Sequence, residues 1–181
     1  MRFIELKTKR PFVYNFTGKF EAPSPNWKHS DNYPLVNYEL IVVTADTLYL
    51  TYADRNYTVP PRSFLLLPPL PPPYNLRRGF RSSACSFYWL HFEADCPPCL
   101  KNVLKEELAG YMASLPDDTI SLPIQGSLPN YARIIILMKQ LQDAVRNQYS
   151  SRFLDYLTTI ILYEVYYELN PILPPPDTKC G

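Results

Sequence analysis

CSFYWLHF, Cys85 to Phe92, packs four aromatic residues and one of the chain's two histidines into eight positions. In a strand, successive side chains point to opposite faces. Cys85, Phe87, Trp89 and His91 then share one face, and Ser86, Tyr88, Leu90 and Phe92 share the other. Both faces are largely apolar, which predicts a strand covered on both sides.

Upstream, the same texture continues. Tyr38 to Thr44 is β-branched and apolar. Thr47 to Tyr52 follows the turn-like Ala45-Asp46, Tyr57-Thr58-Val59 resumes after a turn at Asp54-Arg55-Asn56, and Ser63 to Leu67 is a short apolar run between prolines. Short strands at close spacing, separated by turn residues, predict an antiparallel sandwich or barrel. Pro60-Pro61, Pro68-Pro69 and Pro71-Pro72-Pro73 fall at corners and edges, because proline cannot donate to a ladder.

Downstream the period changes. Pro129 suits a helix start, and Ile134, Leu137, Met138, Leu141, Ala144 and Val145 recur at three-and-four spacing along one helix face. A break at 147–150 precedes a second helix, capped by Ser150 or Ser151 and ending near Leu169, before Asn170-Pro171. Its apolar residues run almost all round it, so it needs cover on more than one side. The Pro-rich stretch beyond Leu169 reads as a linker.

The whole chain has 181 residues, is 46% hydrophobic and has a formal net charge of +1. It is long enough for a core without metals or disulfides, and its charge does not draw nucleic acid to it as a whole. Arg77, Arg78 and Arg81 form a tight basic cluster that reads as an exposed loop. The first ten residues lack the apolar run of a signal peptide, and no stretch is long and apolar enough to span a membrane. A cytoplasmic protein with no membrane partner is expected. Cys96-Pro97-Pro98-Cys99 has the spacing of a redox or zinc pair. With one such pair and no nearby histidine, it reads as two loop thiols.

The runs YELIVVTADTLYL, NYTVPPRSFLLLPP and CSFYWLHFEAD, with the helical stretch from Arg133 to Leu169, resemble the N-terminal sensor domain of AraC-type transcription regulators. The resemblance spans roughly Trp27 to Leu169. It implies a mainly β fold with C-terminal α: a cupin-like (double-stranded β-helix, jelly-roll) barrel followed by two helices forming a dimerisation hairpin. The implied organisation is an N-terminal arm and effector-binding barrel over 1–100, a connecting segment and helical dimerisation region over 101–170, and the start of an interdomain linker over 171–181. The family's DNA-binding helix-turn-helix part would then lie outside this chain, so DNA is met only through a domain missing here. Two turns depart from the family, with Ala45-Asp46 for Glu-Gly and Pro61-Arg62 for Pro-Gly. Leu70 and three prolines stand where many members carry a glycine and a histidine.

By the resemblance, Trp89 falls where arabinose-responsive members stack a sugar, which turns Phe87, Trp89 and His91 toward the barrel interior. A sugar ring packs its C–H faces on aromatic planes and needs directional partners for its hydroxyls. His91 and Glu39 are candidate partners, and Trp27 and His29 are candidates to close one mouth. Each has a plainer reading: Trp89 as core, His91 as a hydrogen-bonded buried histidine, Glu39 as a strand carboxylate facing water or an arginine. No catalytic residue, cofactor or metal is expected, since His29 and His91 lack metal-ligand spacing. The expected partners are a small-molecule effector, a carbohydrate, and a second copy of the chain paired through Leu141, Leu154, Leu157 and Ile161. The residues before Trp27 are the expected moving arm. The alternatives are a cupin-type enzyme acting on a sugar or small acid, and a dimerisation module without a ligand.

Overall fold

The computed structural model describes residues 1–30 and 34–169. Within them the chain is mainly β with C-terminal helices. The linker expected over 171–181, and Cys180 with it, lie outside the described residues.

Eleven strands and three α-helices follow in order among the described residues: β1 (Arg2–Lys7), β2 (Val13–Glu21), β3 (Tyr38–Ala45), β4 (Leu48–Tyr52), β5 (Arg55–Val59), β6 (Ser63–Leu67), β7 (Arg77–Arg78), β8 (Ser86–Glu93), β9 (Cys99–Asn102), α1 (Leu108–Ala113), β10 (Thr119–Pro123), β11 (Gln125–Ser127), α2 (Tyr131–Arg146) and α3 (Ser151–Leu169). The strands form a five-stranded sheet in the order β11-β6-β3-β8-β2 and two three-stranded sheets, β5-β4-β7 and β10-β1-β9. All the strand pairings are antiparallel.

The register of the large sheet sets its two faces. Phe16, His91, Glu39 and Leu67 stand in one row across four strands, Gly18, Trp89, Ile41 and Leu65 in the next, and Phe20, Phe87, Val43 and Ser63 in a third. This face looks toward β5-β4-β7, whose alternate residues Leu48, Leu50 and Tyr52 are buried in the same core. The Tyr52 hydroxyl donates to the Pro68 carbonyl at 2.6 Å. The opposite face carries Phe92, Leu90 and Tyr88 and turns to the helices. Phe92 packs edge-on against Phe12, whose backbone N–H donates to Thr159 Oγ1 of α3 at 2.9 Å. The strand with two apolar faces is therefore present, and the alternation read in CSFYWLHF holds.

The residues before Trp27, expected as an arm, are paired as strands in this structure. β1 lies between β9 and β10, and β2 pairs along its length with β8. β2 is an edge strand with exposed positions on both sides, and β1 alternates charged with apolar residues. Neither shows a clean apolar run, yet ladder pairing fixes both. A bulge interrupts β2 between Tyr14 and Phe16, and α3 holds the strand there, with the Tyr14 N–H donating to Asp155 Oδ1 at 2.8 Å.

The helix starting at Pro129 begins two residues later, at Tyr131. The break and the second helix fall as expected. The turn expected at 54–56 sits at Ala53-Asp54, where both residues have positive φ, as a tight two-residue hairpin requires. Asp46 (φ 50°) and Arg62 (φ 62°) take the left-handed conformation without glycine. Arg62 is held there by its N–H to the Val43 carbonyl and its guanidinium to the Pro129 carbonyl.

Candidate functional site

A cleft of about 510 Å³ opens on the β2–β8 side of the large sheet, lined by Phe16, Phe20, Trp27, His29, Ser30, Glu39, Arg77, Phe87, Trp89 and His91. All six residues expected around a ligand, Trp27, His29, Glu39, Phe87, Trp89 and His91, line it together. The volume is that of a small-molecule site.

The walls are aromatic. Phe20 stands 5.0 Å from Phe87 and 4.5 Å from Trp27, ring centre to ring centre. Phe16 meets Trp89 edge-on at 5.7 Å and stacks on the His91 ring at 4.2 Å. Trp89 lies across Gly18, its partner on β2. A Cβ there would sit 2.4 Å from Trp89 Cζ2, so only glycine lets the indole lie down on the strand. Segment 27–30 closes one side. It is tied to the 79–83 loop by the Gly79 N–H on the His29 carbonyl and the Ser83 N–H on the Trp27 carbonyl, both 3.0 Å. Gly79 permits this approach, since a Cβ would fall 2.5 Å from the His29 nitrogen.

The floor is charged. Glu39 is buried, and its carboxylate takes His91 Nε2 on Oε1 at 3.2 Å and Arg77 Nη1 on Oε2 at 2.5 Å. Burial pushes the Glu39 carboxyl up, but the His91 hydrogen bond and the Arg77 charge outweigh it and hold the group below the usual carboxylate range. His91 turns its other nitrogen, Nδ1, to Asn37 Oδ1 at 2.7 Å. Asn37 Nδ2 donates to Asn15 Oδ1 and Asn15 Nδ2 to Glu93 Oε1, each at 3.0 Å. A hydrogen-bonded line thus runs from the floor to the surface beside the β2 bulge.

Arg77 corrects the exposed-loop reading of the basic cluster. It is placed by two-residue β7, where it pairs with Tyr52 and shares its inward side. From there it reaches across to the large sheet. A strand of two residues carries no period to read. Phe16 and Phe20 are not among the residues expected at the site, although Phe16, Gly18 and Phe20 follow a two-residue spacing; Tyr14, before the bulge, lies opposite Phe92 on the other face.

Of the residues expected to pair two copies, Leu141, Leu154 and Ile161 pack into the core of the single chain, and Leu157 keeps part of its surface open. What α3 exposes instead is Phe153, Tyr156, Ile160 and Tyr167, with half-buried Tyr163 between them.

Cys96 and Cys99 are free thiols, partly exposed. Cys99 donates to Glu5 Oε2 at 3.3 Å, and that bond with burial raises its pKa, the reverse of the setting that activates a redox thiol. Among the described residues no cluster of three or more His, Cys, Asp or Glu could hold a metal, and no helix is long and apolar enough to cross a membrane. A second concavity of about 470 Å³, between Lys101 and Tyr111, is bordered by exposed charges and lacks a buried charged floor.

Compared with protein-family models and with curated protein sequences, the chain matches none.

Proposed function

We propose that the chain is the effector-sensing and dimerisation domain of an AraC-type transcription regulator, with a cupin-like barrel that binds a carbohydrate and without enzymatic turnover. One observation carries the reading: an aromatic-walled cleft of about 510 Å³ over a floor of buried Glu39 and His91 with half-buried Arg77. Aromatic planes suit the C–H faces of a sugar, and the charged floor suits its oxygens. DNA recognition belongs to a separate domain. Binding acts by favouring one arrangement of the sensor over another, by as much as the ligand's affinities for the two differ.

Dimerisation runs through α3 in this reading, on a different set of residues from those first expected. Phe153, Tyr156, Ile160, Tyr163 and Tyr167 alternate at three and four residues. That is the seam a left-handed coiled coil uses, and its exposure supports a second copy as its cover.

The test is tryptophan fluorescence titrated with mono- and disaccharides, since Trp27 and Trp89, the chain's two tryptophans, both line the cleft. A saturable change lost in Trp89→Ala is expected. Release of a chemically altered sugar would assign an enzyme instead.

A further inference from the structure

The hydrogen-bonded line under the cleft has a direction fixed at its outer end. Glu93, exposed to water, only accepts, so Asn15 presents its amide nitrogen to Glu93 and its oxygen to Asn37. Asn37 then presents its own oxygen to His91 Nδ1. At the inner end, the two Glu39 oxygens each hold one partner, His91 and Arg77. Every acceptor in this line already faces a donor.

Among the described lining residues donors outnumber acceptors: beside Glu39, only the Ser30 hydroxyl and the imidazole rings can also accept. Among the described residues the Arg77 guanidinium makes its side-chain hydrogen bond to Glu39 alone, and its Nε is buried without a partner, against five N–H groups in all. Each tryptophan adds an indole N–H and no acceptor. Among the described residues Glu39 is the one carboxylate in the lining. Ser30, at the rim, supplies a single hydroxyl. A neutral sugar brings hydroxyl donors that find few free acceptors here, whereas a carboxylate brings only acceptors and a charge that suits a guanidinium.

Resting on the carbohydrate reading above, we infer that the cleft takes an acidic sugar, of the uronic- or aldonic-acid class, whose body packs on Trp27 and Trp89 and whose carboxylate docks on the Arg77 guanidinium beside Glu39. Asn37 and Asn15 are positioning residues in this scheme. Asn37 Oδ1 takes the Nδ1–H of His91 and fixes the ring, which donates from Nε2 to Glu39 at the same time only as an imidazolium, the form in which both nitrogens carry hydrogen.

The experiment compares matched ligands on the unaltered protein by calorimetry and tryptophan fluorescence: glucose, glucuronate and the glucuronate methyl ester, then the galactose series and gluconate. The expected result is binding of at least one acid, at least ~10-fold tighter than its neutral parent and its ester, because a hydrogen bond to a charged group is stronger than one to a neutral group. The ester removes the charge on the ligand side, so this arm does not depend on a folded variant. Arg77→Lys, shown to be folded by its thermal transition, is expected to shrink the acid-over-neutral ratio. A neutral parent binding as tightly as its acid overturns the acidic-sugar inference and leaves the carbohydrate reading standing. No binding by any member of the panel overturns both.

Discussion

Arg77 and Glu39 join the two facing sheets, Nη1 to Oε2 at 2.5 Å, with 12% and 4% of their side chains exposed. A pair of this kind costs most when one member is removed, because the other is left charged and short of a partner. Arg77→Met is expected to lose about 3 kcal/mol of stability, the low end for a broken buried pair, because His91 still holds Glu39 Oε1. Combining it with Glu39→Leu should recover much of that loss. Urea denaturation of the two single variants and the double checks this, and additive losses would rule the coupling out.

The same carboxylate sets an acid limit. Its pKa is lowered in the folded chain, so the stability it adds is complete above the unfolded value of about 4.3. That stability is lost as pH falls through the lower folded value. Melting temperature followed from pH 6 to pH 2 should drop more steeply for the natural chain than for Glu39→Gln. Parallel curves would remove Glu39 as the source.

Tyr111 contributes to the opposite limit, beside Tyr38 and Tyr52, whose hydroxyl pKa values burial also raises. Burial raises its pKa to about 12, with the Glu5 hydrogen bond adding to the rise and Ser121 opposing it. A group raised in this way stabilises fully below its unfolded value of about 10 and loses that contribution as pH climbs through the folded value. Tyr111→Phe should flatten the fall in melting temperature above pH 10. An unchanged slope would place the alkaline transition elsewhere.

Gly18→Ala should displace the Trp89 indole, since the added Cβ would sit 2.4 Å from Cζ2. Overpacking of this kind typically costs about 1–3 kcal/mol. The tryptophan emission should shift and the sugar response weaken. An unaltered spectrum would mean that the indole does not rest on this strand.

On α3, Ile160→Glu should halve the mass seen by analytical ultracentrifugation with little change in melting temperature, because Ile160 is exposed in the single chain. Ile161→Ala, one residue on and fully buried, should instead cost about 2–5 kcal/mol. A dimer that survives Ile160→Glu moves the pairing off this seam.

The parts of the fold with a strong period were legible. β3, β4, β6, β8 and both long helices follow from apolar spacing, and the cleft face of β8 follows from alternation alone. Glu39 is legible as a strand carboxylate facing water or an arginine. Which arginine could not be read, because Arg77 gains its place from a partner strand and not from its neighbours. β1 and β2 stayed hidden for the same reason: their polar and exposed positions obscure the pattern, and their structure comes from pairing with residues far along the chain. In α3 an apolar circumference was evident. The sheets decided which half of it was already taken.

The clasp of Asp155 and Thr159 on the backbone of Phe12 and Tyr14 has a consequence for how the chain survives synthesis. An open strand edge is a template for pairing with another molecule, and here the plug for part of that edge is made about 140 residues after the strand it protects. Until α3 emerges, β2 is exposed to the same strand in neighbouring nascent chains. A version ending before Ser151 should therefore collect in insoluble material, and Asp155→Ala should raise the tendency to precipitate on refolding more than its modest effect on stability would suggest.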